Sequence, residues 1–188
     1  MRYAPPVVRQ RPKTPWEIMM WDPKQYHQFS EARMRPGYDL LTQIPDNHYE
    51  TIIDLGCGTG ELTQQLQEKF RPKQIMGIDS SEAMLTKAKA QFDGIAWQLN
   101  NIEDVKDNYD LIFSNAALQW VDNHDILMKK LMGLAKKTMA IQVPNNFSMP
   151  SHVLLRETIE ENPVFYKKLS HTLRDQPVLT PEAYYDIF

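Results

Sequence analysis

Cysteine, glycine and long apolar runs are all scarce in this chain of 188 residues. Cys57 is the only cysteine, which excludes an internal disulfide and a cysteine-rich zinc site. No apolar run approaches the roughly 20 residues of a membrane-spanning helix, and the proline-rich amino terminus lacks the apolar core of a signal peptide. The composition therefore predicts a cytoplasmic protein that has no membrane segment.

An excess of either charge is also missing. The formal net charge is −3 and no basic block stands out, so a nucleic-acid partner has little electrostatic support. The histidines are scattered, without companions at the spacing of metal ligands. A hydrophobic content of 42% suits one globular domain with an apolar core. The oligomeric state is not specified by these features, and a monomer is favoured.

The two terminal regions differ in pattern from the centre of the chain. We predict a flexible, proline-punctuated tail over residues 1–15 and a helical cap over residues 16–45, in which Pro36-Gly37 ends one helix before a second begins. Residues 150–188 predict helices with proline breaks, the last of which starts at the N-cap Thr180. The apolar residues of this last helix have little left to bury them, so the natural domain is expected to be longer.

Between these regions, residues 46–149 alternate strand and helix patterns. Helical segments with one apolar face separate five apolar runs. Strand, helix and strand in repetition predict a parallel α/β sheet with right-handed crossovers. The predicted strands are Thr51–Leu55, Gln74–Ile78, Ile95–Leu99, Tyr109–Ser114 and Thr138–Val143.

Three of the seven glycines follow the first predicted strand, in "TIIDLGCGTGELTQQL". Gly56, Gly58 and Gly60 permit positive φ and let a ligand approach the backbone closely. Their G-x-G-x-G spacing differs from the G-x-G-x-x-G of the dinucleotide fingerprint. A nucleotide-type ligand at the carboxyl end of the sheet is one interpretation, and a tight strand-to-helix turn is the other.

Two acidic residues favour the ligand interpretation. Asp54 directly precedes the glycines, and Asp79 ends the second strand about twenty residues further on. A carboxylate at the second position can accept hydrogen bonds from two ribose hydroxyls. An aspartate before Ser80 and Ser81 is also an ordinary helix-start signal, and the two interpretations are compatible because Ser81 could still act as the cap.

The segment "DLGCGTG" resembles the first motif of the class I methyltransferases that use S-adenosyl-L-methionine. This resemblance implies a Rossmann-like α/β fold, with a parallel sheet of about five strands and helices on both faces. It also implies that Asp54 helps to hold the cationic methionine moiety of the cofactor. The remaining cofactor-binding residues that it implies are Gly56, Cys57, Gly58 and Gly60 beneath the cofactor, Asp79 and Ser80 at the ribose, Met84, Asn101 and Ile102 near the adenine, and Asn115 after the fourth strand.

Four further blocks are similar to the trans-aconitate methyltransferase family: "WDPKQYHQF", "RMRPGYDLL", "SNAALQWVDNH" and "IQVPNNFSMPSH", which span residues 21–152. The similarity implies methyl transfer to a carboxylate of a small polycarboxylic acid. A carboxylate is ionised at neutral pH, so neither a general base nor a metal is required. The protein need only align oxygen, methyl and sulfur and exclude water.

An acidic substrate needs cationic and polar partners. Arg33 and Arg35 could instead be solvated helix residues, and Trp120 could instead belong to the apolar core. The predicted substrate-binding residues are Tyr26, Arg33, Arg35, Trp120, Gln142, Asn145 and His152.

The chain departs from the family at two places. Lys136-Lys137 replaces a usual glycine pair, which should alter only a surface turn, and the antiparallel strands that end the family domain have no counterpart here. The shared "SN-ALQW" type of motif keeps a second enzyme open, and the missing strands keep a non-enzyme open. The enzyme is a malonyl-carrier-protein methyltransferase of biotin synthesis, and the non-enzyme is a cofactor-binding remnant without catalysis. A nucleic-acid methyltransferase is less supported, because the N-P-P-Y-like motif of base methylation is absent.

Overall fold

Five apolar runs form the five strands of one sheet. The computed structural model describes residues 30–173 and 178–188, with side chains from residue 34 onward. The strands are β1 (Thr51–Leu55), β2 (Gln74–Asp79), β3 (Ala96–Leu99), β4 (Tyr109–Asn115) and β5 (Ala135–Gln142). Every neighbouring pair is parallel, in the order β3-β2-β1-β4-β5. The strand order reverses between β1 and β4, which is the switch point where ligands bind in such sheets.

Helices follow most of the strands, as the alternation predicts. Within the described residues they are α1 (Ser30–Gln43), α2 (Glu61–Phe70), α3 (Glu82–Gln91), α4 (His124–Leu134), α5 (Pro150–Glu161), α6 (Pro163–Leu169) and α7 (Pro181–Tyr185). Short 3₁₀ turns lie at Ile102–Asp104, Leu118–Trp120 and Ser170–Thr172. The predicted Rossmann-like architecture of a parallel sheet with crossover helices is confirmed.

The central strands are buried because helices cover both faces of the sheet. Ile52, Ile53 and Leu55 of β1 are each at most 1% exposed, so the strand is apolar almost throughout instead of alternating. Helices α2 and α4 each bury one apolar face, and α3 buries Leu85 and Ala88 but not Met84. Met84 therefore points away from the core of the sheet.

The chain divides into two compact units, residues 1–35 and 36–188, and the fold described here is that of the second unit. The predicted tail, residues 1–15, and residues 16–29 of the predicted cap lie outside the described residues, as does Tyr26. The part of the cap that is described is helical from residue 30.

Pro36 lies inside α1, which runs without interruption. The prediction that Pro36-Gly37 separates two helices is therefore wrong. An internal proline removes a helical hydrogen bond and costs about 3 kcal/mol or more. Close packing offsets this cost, since Leu41 is buried and a β-carbon at Gly37 would lie only 2.4 Å from Leu62 Cδ1.

Strand β5 begins earlier than its apolar run. Lys136 and Lys137 belong to the strand, which corrects the prediction that they form a surface turn. The edge position of β5 explains the difference, because lysine side chains on an outer strand reach polar partners. Lys137 Nζ donates to Asp110 Oδ2 at 3.1 Å and to the His48 carbonyl oxygen at 2.8 Å.

The last helix is partly buried. Tyr184 and Ile187 pack against the main apolar core, whereas Tyr185 and Phe188 are 81% and 63% exposed. The expectation that the apolar residues of this helix would have little to bury them is therefore wrong for Tyr184 and Ile187. Thr180 caps α7 as predicted, since its hydroxyl accepts a hydrogen bond from the Ala183 N–H. No helix in the described ranges has the length and apolar character needed to cross a membrane.

Candidate functional site

The three glycines after β1 form a turn that bends back over β2. Gly56, Gly58 and Gly60 have φ values of 72°, 57° and 91°, in the left-handed region that favours glycine. The N–H groups of Gly56 and Cys57 both donate to the Ile78 carbonyl oxygen at 2.9 Å. The backbone of the turn is thereby tied to the end of the neighbouring strand.

The glycines serve different packing roles. A β-carbon on Gly56 would lie 2.2 Å from the Ala117 β-carbon, and one on Gly60 would lie 2.6 Å from the Trp97 ring. A β-carbon on Gly58 would meet no heavy atom of the described residues within 4 Å, so this glycine faces open space in that part of the chain. Gly56 and Gly60 therefore permit close packing, while Gly58 presents bare backbone to a cavity.

Asp79 fastens the turn to the start of α3. One carboxylate oxygen accepts from the Gly58 N–H at 2.9 Å, and the other accepts from the Ser81 N–H at 2.8 Å. The Ser81 hydroxyl in turn caps α3 by accepting from the Met84 N–H, as predicted. Each carboxylate oxygen has a second lone pair, so Asp79 keeps acceptor capacity for a ligand.

A cavity of about 450 Å³ opens beside this turn, at the carboxyl ends of the strands. We call it the loop cavity. Seven predicted cofactor residues line it: Gly56, Gly58, Asp79, Ser80, Met84, Asn101 and Ile102. Its other walls are Ser81, Asn100, Glu103, Ala116, Ala117, Trp120 and Val121.

One side of the loop cavity carries an apolar pair. Met84 is 40% exposed although it is a large apolar residue, and Ile102 is buried opposite the turn. Asn101 donates from Nδ2 to Asp104 Oδ2 at 3.0 Å, which leaves its side-chain oxygen free to act as an acceptor. An apolar wall beside an amide suits a flat heteroaromatic ring.

Asp54 lies beneath the turn. Its side chain is 2% exposed and does not line the loop cavity, and Oδ2 accepts from the Thr63 hydroxyl at 2.6 Å. Burial raises the pKa of the Asp54 carboxyl to about 7, although the hydrogen bond from Thr63 opposes the shift. The structure thus gives Asp54 a partner on α2, and its contact with a cationic ligand stays a prediction.

Cys57 and Gly60 also lie behind the cavity wall. The Cys57 side chain is buried, and this burial raises the pKa of the thiol well above its usual value. An unionised, buried thiol is a poor nucleophile. Both residues shape the turn through their backbone. The glycine motif in the sequence does not distinguish this structural role from contact with a ligand.

Amide oxygens without partners gather where β4 and β5 end. Asn115 and Gln142 are register neighbours, and Asn115 Oδ1 and Gln142 Oε1 are buried without a hydrogen-bond partner among the described residues. The Ala116 N–H donates to the Gln142 carbonyl oxygen at 2.9 Å, and Ala116 itself has a φ of 52°. A left-handed alanine stores strain of the kind found at ligand sites.

A second cavity, of about 290 Å³, lies beside α5, and we call it the α5 cavity. Trp120, which is 65% exposed, lines both the α5 cavity and the loop cavity. The two cavities therefore meet at this indole. The other residues of the α5 cavity are Gln119, Pro144, Asn146, Phe147, His152, Leu155, Arg156, Ile159, Thr172 and Leu173.

A buried histidine holds the turn that carries Trp120. His124 Nε2 lies 2.8 Å from the Leu118 carbonyl oxygen, and only a nitrogen that carries a proton can bond to this acceptor. With the proton on Nε2, Nδ1 accepts from the Tyr184 hydroxyl, whose oxygen accepts from the Leu179 N–H at 3.3 Å. The carboxyl-terminal segment is thereby connected to the Trp120 turn.

The predicted substrate residues are distributed unevenly. Trp120 and His152 line the α5 cavity, whereas Gln142 and Asn145 do not. Arg35 is exposed and belongs to the first unit, and the Arg33 side chain lies outside the described part of the chain.

Sequence reasoning missed Gln119 and Arg156. Both line the α5 cavity, and Gln119 is 9% exposed. The available signal for Arg156 was its spacing of four residues from the predicted His152, which places both on one face of a helix.

Comparisons with known proteins agree with this geometry. Residues 46–186 match a methyltransferase domain family. The trans-aconitate 2-methyltransferases of Deinococcus radiodurans and Acidovorax ebreus are 41% and 38% identical to the chain, over 90% and 89% of its length and 68% and 66% of theirs. An S-adenosylmethionine-dependent methyltransferase structure from Mesorhizobium loti is 25% identical, with a TM-score of 0.52 over 60% of this chain and 55% of that one. The chain spans about two thirds of the length of the curated relatives it matches.

Proposed function

This chain belongs to the S-adenosylmethionine-dependent methyltransferases, and we propose that it transfers a methyl group from S-adenosylmethionine to a carboxylate of a small polycarboxylic acid such as trans-aconitate. The observation that carries the proposal is the meeting of the two cavities at Trp120. One cavity has the backbone turn and acidic residue that suit the donor, and the other has room for a small acceptor. A methyl group can pass between two ligands only where their sites adjoin.

In this proposal the cofactor occupies the loop cavity. Asp79 accepts hydrogen bonds from the ribose hydroxyls through the lone pairs that Gly58 and Ser81 leave unused. The adenine ring lies against Met84 and Ile102. Asp54 lies beneath the turn, and its carboxylate would favour the cationic methionine moiety of a bound cofactor.

The acceptor occupies the α5 cavity with its reacting carboxylate toward Trp120. Its oxygen attacks the methyl carbon, and the carbon–sulfur bond breaks with its electron pair going to sulfur. A negative carboxylate and a positive sulfonium become a neutral ester and a neutral thioether, so the transition state carries less charge than the reactants. A site that excludes water therefore favours the reaction, and no proton has to be moved.

Two other functions fit the cofactor site equally well. A malonyl-carrier-protein methyltransferase would use the same donor with a protein-bound acceptor, and a remnant without catalysis would bind the donor alone. Within the described residues, the α5 cavity, whose volume of about 290 Å³ suits a small acid, is the feature that favours the proposed function over both.

The deciding experiment has two stages. Calorimetry with S-adenosylhomocysteine tests the donor site, and a methyl-transfer panel then compares trans-aconitate, related polycarboxylates and malonyl carrier protein. We expect micromolar binding of S-adenosylhomocysteine and ester formation on a polycarboxylate. Lack of binding would contradict the whole proposal, whereas binding without transfer to any acceptor would favour the remnant.

A further inference from the structure

One face of α5 forms a wall of the α5 cavity. His152, Leu155, Arg156 and Ile159 occupy positions i, i+3, i+4 and i+7 of the helix, so they lie along one stripe of it. Ile159 is buried at 3% exposure and fixes this stripe against the rest of the protein. The stripe thus presents one permanent cation, the Arg156 guanidinium, among apolar neighbours.

The contacts of Arg156 leave most of its hydrogen-bonding capacity unused. Nη2 donates to the Phe147 carbonyl oxygen at 3.3 Å, which accounts for one of the five guanidinium N–H groups. Arg156 forms no ion pair with an acidic side chain in the portion of the chain that is described. A half-buried guanidinium that no carboxylate neutralises is well suited to an anionic ligand.

Gln119 supplies an independent sign of a ligand in the same cavity. Its Nε2 donates to the Ala116 carbonyl oxygen at 2.6 Å, and this bond fixes the orientation of the amide. The other amide atom, Oε1, is buried and has no partner among the described residues. Buried polar atoms are almost always satisfied, so an acceptor left over in a cavity wall indicates a polar occupant that carries a hydrogen-bond donor, such as a hydroxyl group or a water molecule. An ionised carboxylate has no donor, so the preference of the cavity for an anion comes from Arg156 and not from Gln119.

We propose that Arg156 is a specificity-determining residue that binds a carboxylate of the acceptor other than the one that is methylated. This inference rests on the proposed function and assigns to Arg156 the recognition of the second carboxylate of its polycarboxylic acceptor. The reacting carboxylate faces Trp120, the second pairs with Arg156, and the carbon chain lies against Phe147 and Leu155. A planar guanidinium can pair with a carboxylate through two parallel hydrogen bonds, which a point charge cannot do.

Acceptor binding can be measured without turnover. The protein is saturated with S-adenosylhomocysteine, and the binding of trans-aconitate and of a monocarboxylic acid of similar length is followed by calorimetry. We expect the wild type to prefer trans-aconitate. Arg156→Gln should weaken trans-aconitate binding by roughly 10-fold to 100-fold, Arg156→Lys should weaken it several-fold, and the monocarboxylic acid should be unaffected. Lys87→Gln, an exposed lysine on α3, is the charge-matched control.

The outcomes separate this inference from the proposed function. Equal binding of trans-aconitate to the wild type and Arg156→Gln would overturn the inference, as would a wild type that binds the monocarboxylic acid equally well or binds neither acid. Arg156-dependent binding without methyl transfer would support the inference and contradict the proposed function. Unchanged affinity for S-adenosylhomocysteine in the variants shows that they are folded. If Arg156→Gln does not fold, the wild-type preference between the two acids and the Arg156→Lys result decide the question.

Discussion

The loop cavity and the α5 cavity adjoin at Trp120 but are built in different ways. Backbone groups and residues at strand ends form the loop cavity, where positive φ values and hydrogen bonds to strand β2 fix the turn. Side chains from several separate segments form the α5 cavity, which includes the Leu118–Trp120 turn, the loop after β5 and helix α5. The first is a rigid frame that the sheet imposes, and the second depends on how distant segments pack together.

This difference bears on how each cavity responds to mutation. A change in the loop cavity acts on the backbone and should alter folding and donor binding together. A change in the α5 cavity acts on one side chain and should alter acceptor binding alone. Variants that separate stability from binding therefore test the comparison.

The largest effect is expected at Gly56. A β-carbon there would lie 2.2 Å from the Ala117 β-carbon, and the residue has a φ of 72°. Gly56→Ala should therefore lower the free energy of unfolding by about 3 kcal/mol or more, because it adds a clash to backbone strain. Denaturant unfolding of the ligand-free protein measures this change.

Gly58→Ala is the matched control, since Gly58 has a positive φ and its β-carbon would meet no described residue within 4 Å. Backbone strain alone should lower its stability by about 1–2 kcal/mol. The added β-carbon would point into open space beside the loop cavity, where it would obstruct a ligand. The loss of S-adenosylhomocysteine affinity in Gly58→Ala should therefore be larger than its small loss of stability would cause. Equal destabilisation of the two variants would contradict the assignment of a packing role to Gly56 and a ligand-facing role to Gly58.

The sequence predicted the loop cavity far better than the α5 cavity. Four of the five predicted strands begin within one residue of their observed starts, and Asp79, Met84, Asn101 and Ile102 all line the predicted cavity. The reason is physical, because a strand end, a glycine turn and a helix cap are set by neighbouring residues in the chain. Local pattern is then sufficient to place the side chains.

Features that depend on distant contacts were missed. Arg156 enters a cavity only because α5 packs near the Trp120 turn, which no local pattern encodes. The start of β5 at Ala135 is fixed by pairing with Tyr109, and the continuity of α1 through Pro36 is fixed by packing at Gly37. In each case tertiary contacts override a local signal.

The second prediction concerns the pH dependence of stability, which follows from the burial of Asp54. Its pKa is raised from an ordinary 3.8 to about 7, so the folded protein binds more protons than the unfolded chain between about pH 4 and 7. Stability is therefore expected to fall as pH rises through this window and to level off above it. Three pKa units correspond to about 4 kcal/mol, and relaxation of the site reduces the expected effect to about 2–4 kcal/mol.

Asp54→Asn removes this titration and keeps an oxygen that can accept from Thr63. Relative to the wild type, the variant should be more stable at pH 8 and about equally stable at pH 4, as measured by denaturant unfolding without ligand. It should also bind S-adenosylmethionine more weakly, because the carboxylate that is proposed to face the cationic moiety is lost. Parallel pH profiles for the two proteins would exclude the burial effect, and unchanged affinity would exclude the contact.

A third prediction concerns Asp79. Asp79→Asn should weaken S-adenosylhomocysteine binding by about 1.5–3 kcal/mol, since charge-assisted hydrogen bonds to the ribose are lost. The carboxylate also fastens Gly58 and Ser81, so an affinity loss alone does not identify the ribose contact. An analogue that lacks the ribose hydroxyls resolves this point.

The analogue completes a double-mutant cycle with the variant. If Asp79 binds the hydroxyls, removal of both partners should cost little more than removal of either. Additive losses would mean that the ribose lies elsewhere in the loop cavity. Asp93→Asn, in an exposed turn, provides the control for the loss of one negative charge.

The smallest change in stability is expected for Tyr184, a residue of the carboxyl-terminal segment that supports the Leu118–Trp120 turn. The Tyr184 hydroxyl donates to His124 Nδ1 and accepts from the Leu179 N–H, and His124 in turn holds the Leu118 carbonyl. Tyr184→Phe should lower the free energy of unfolding by about 1 kcal/mol, because two partners lose a hydrogen bond.

Tyr185→Phe is the matched control, since this neighbouring ring is 81% exposed and its stability should change by less than about 0.5 kcal/mol. Acceptor binding sharpens the test. Loss of the Tyr184 hydroxyl loosens the turn that carries Trp120, so trans-aconitate affinity should fall while S-adenosylhomocysteine affinity changes less. An equal loss for both ligands would mean that the carboxyl-terminal segment supports the whole sheet edge, and the two cavities would then respond as one structural unit.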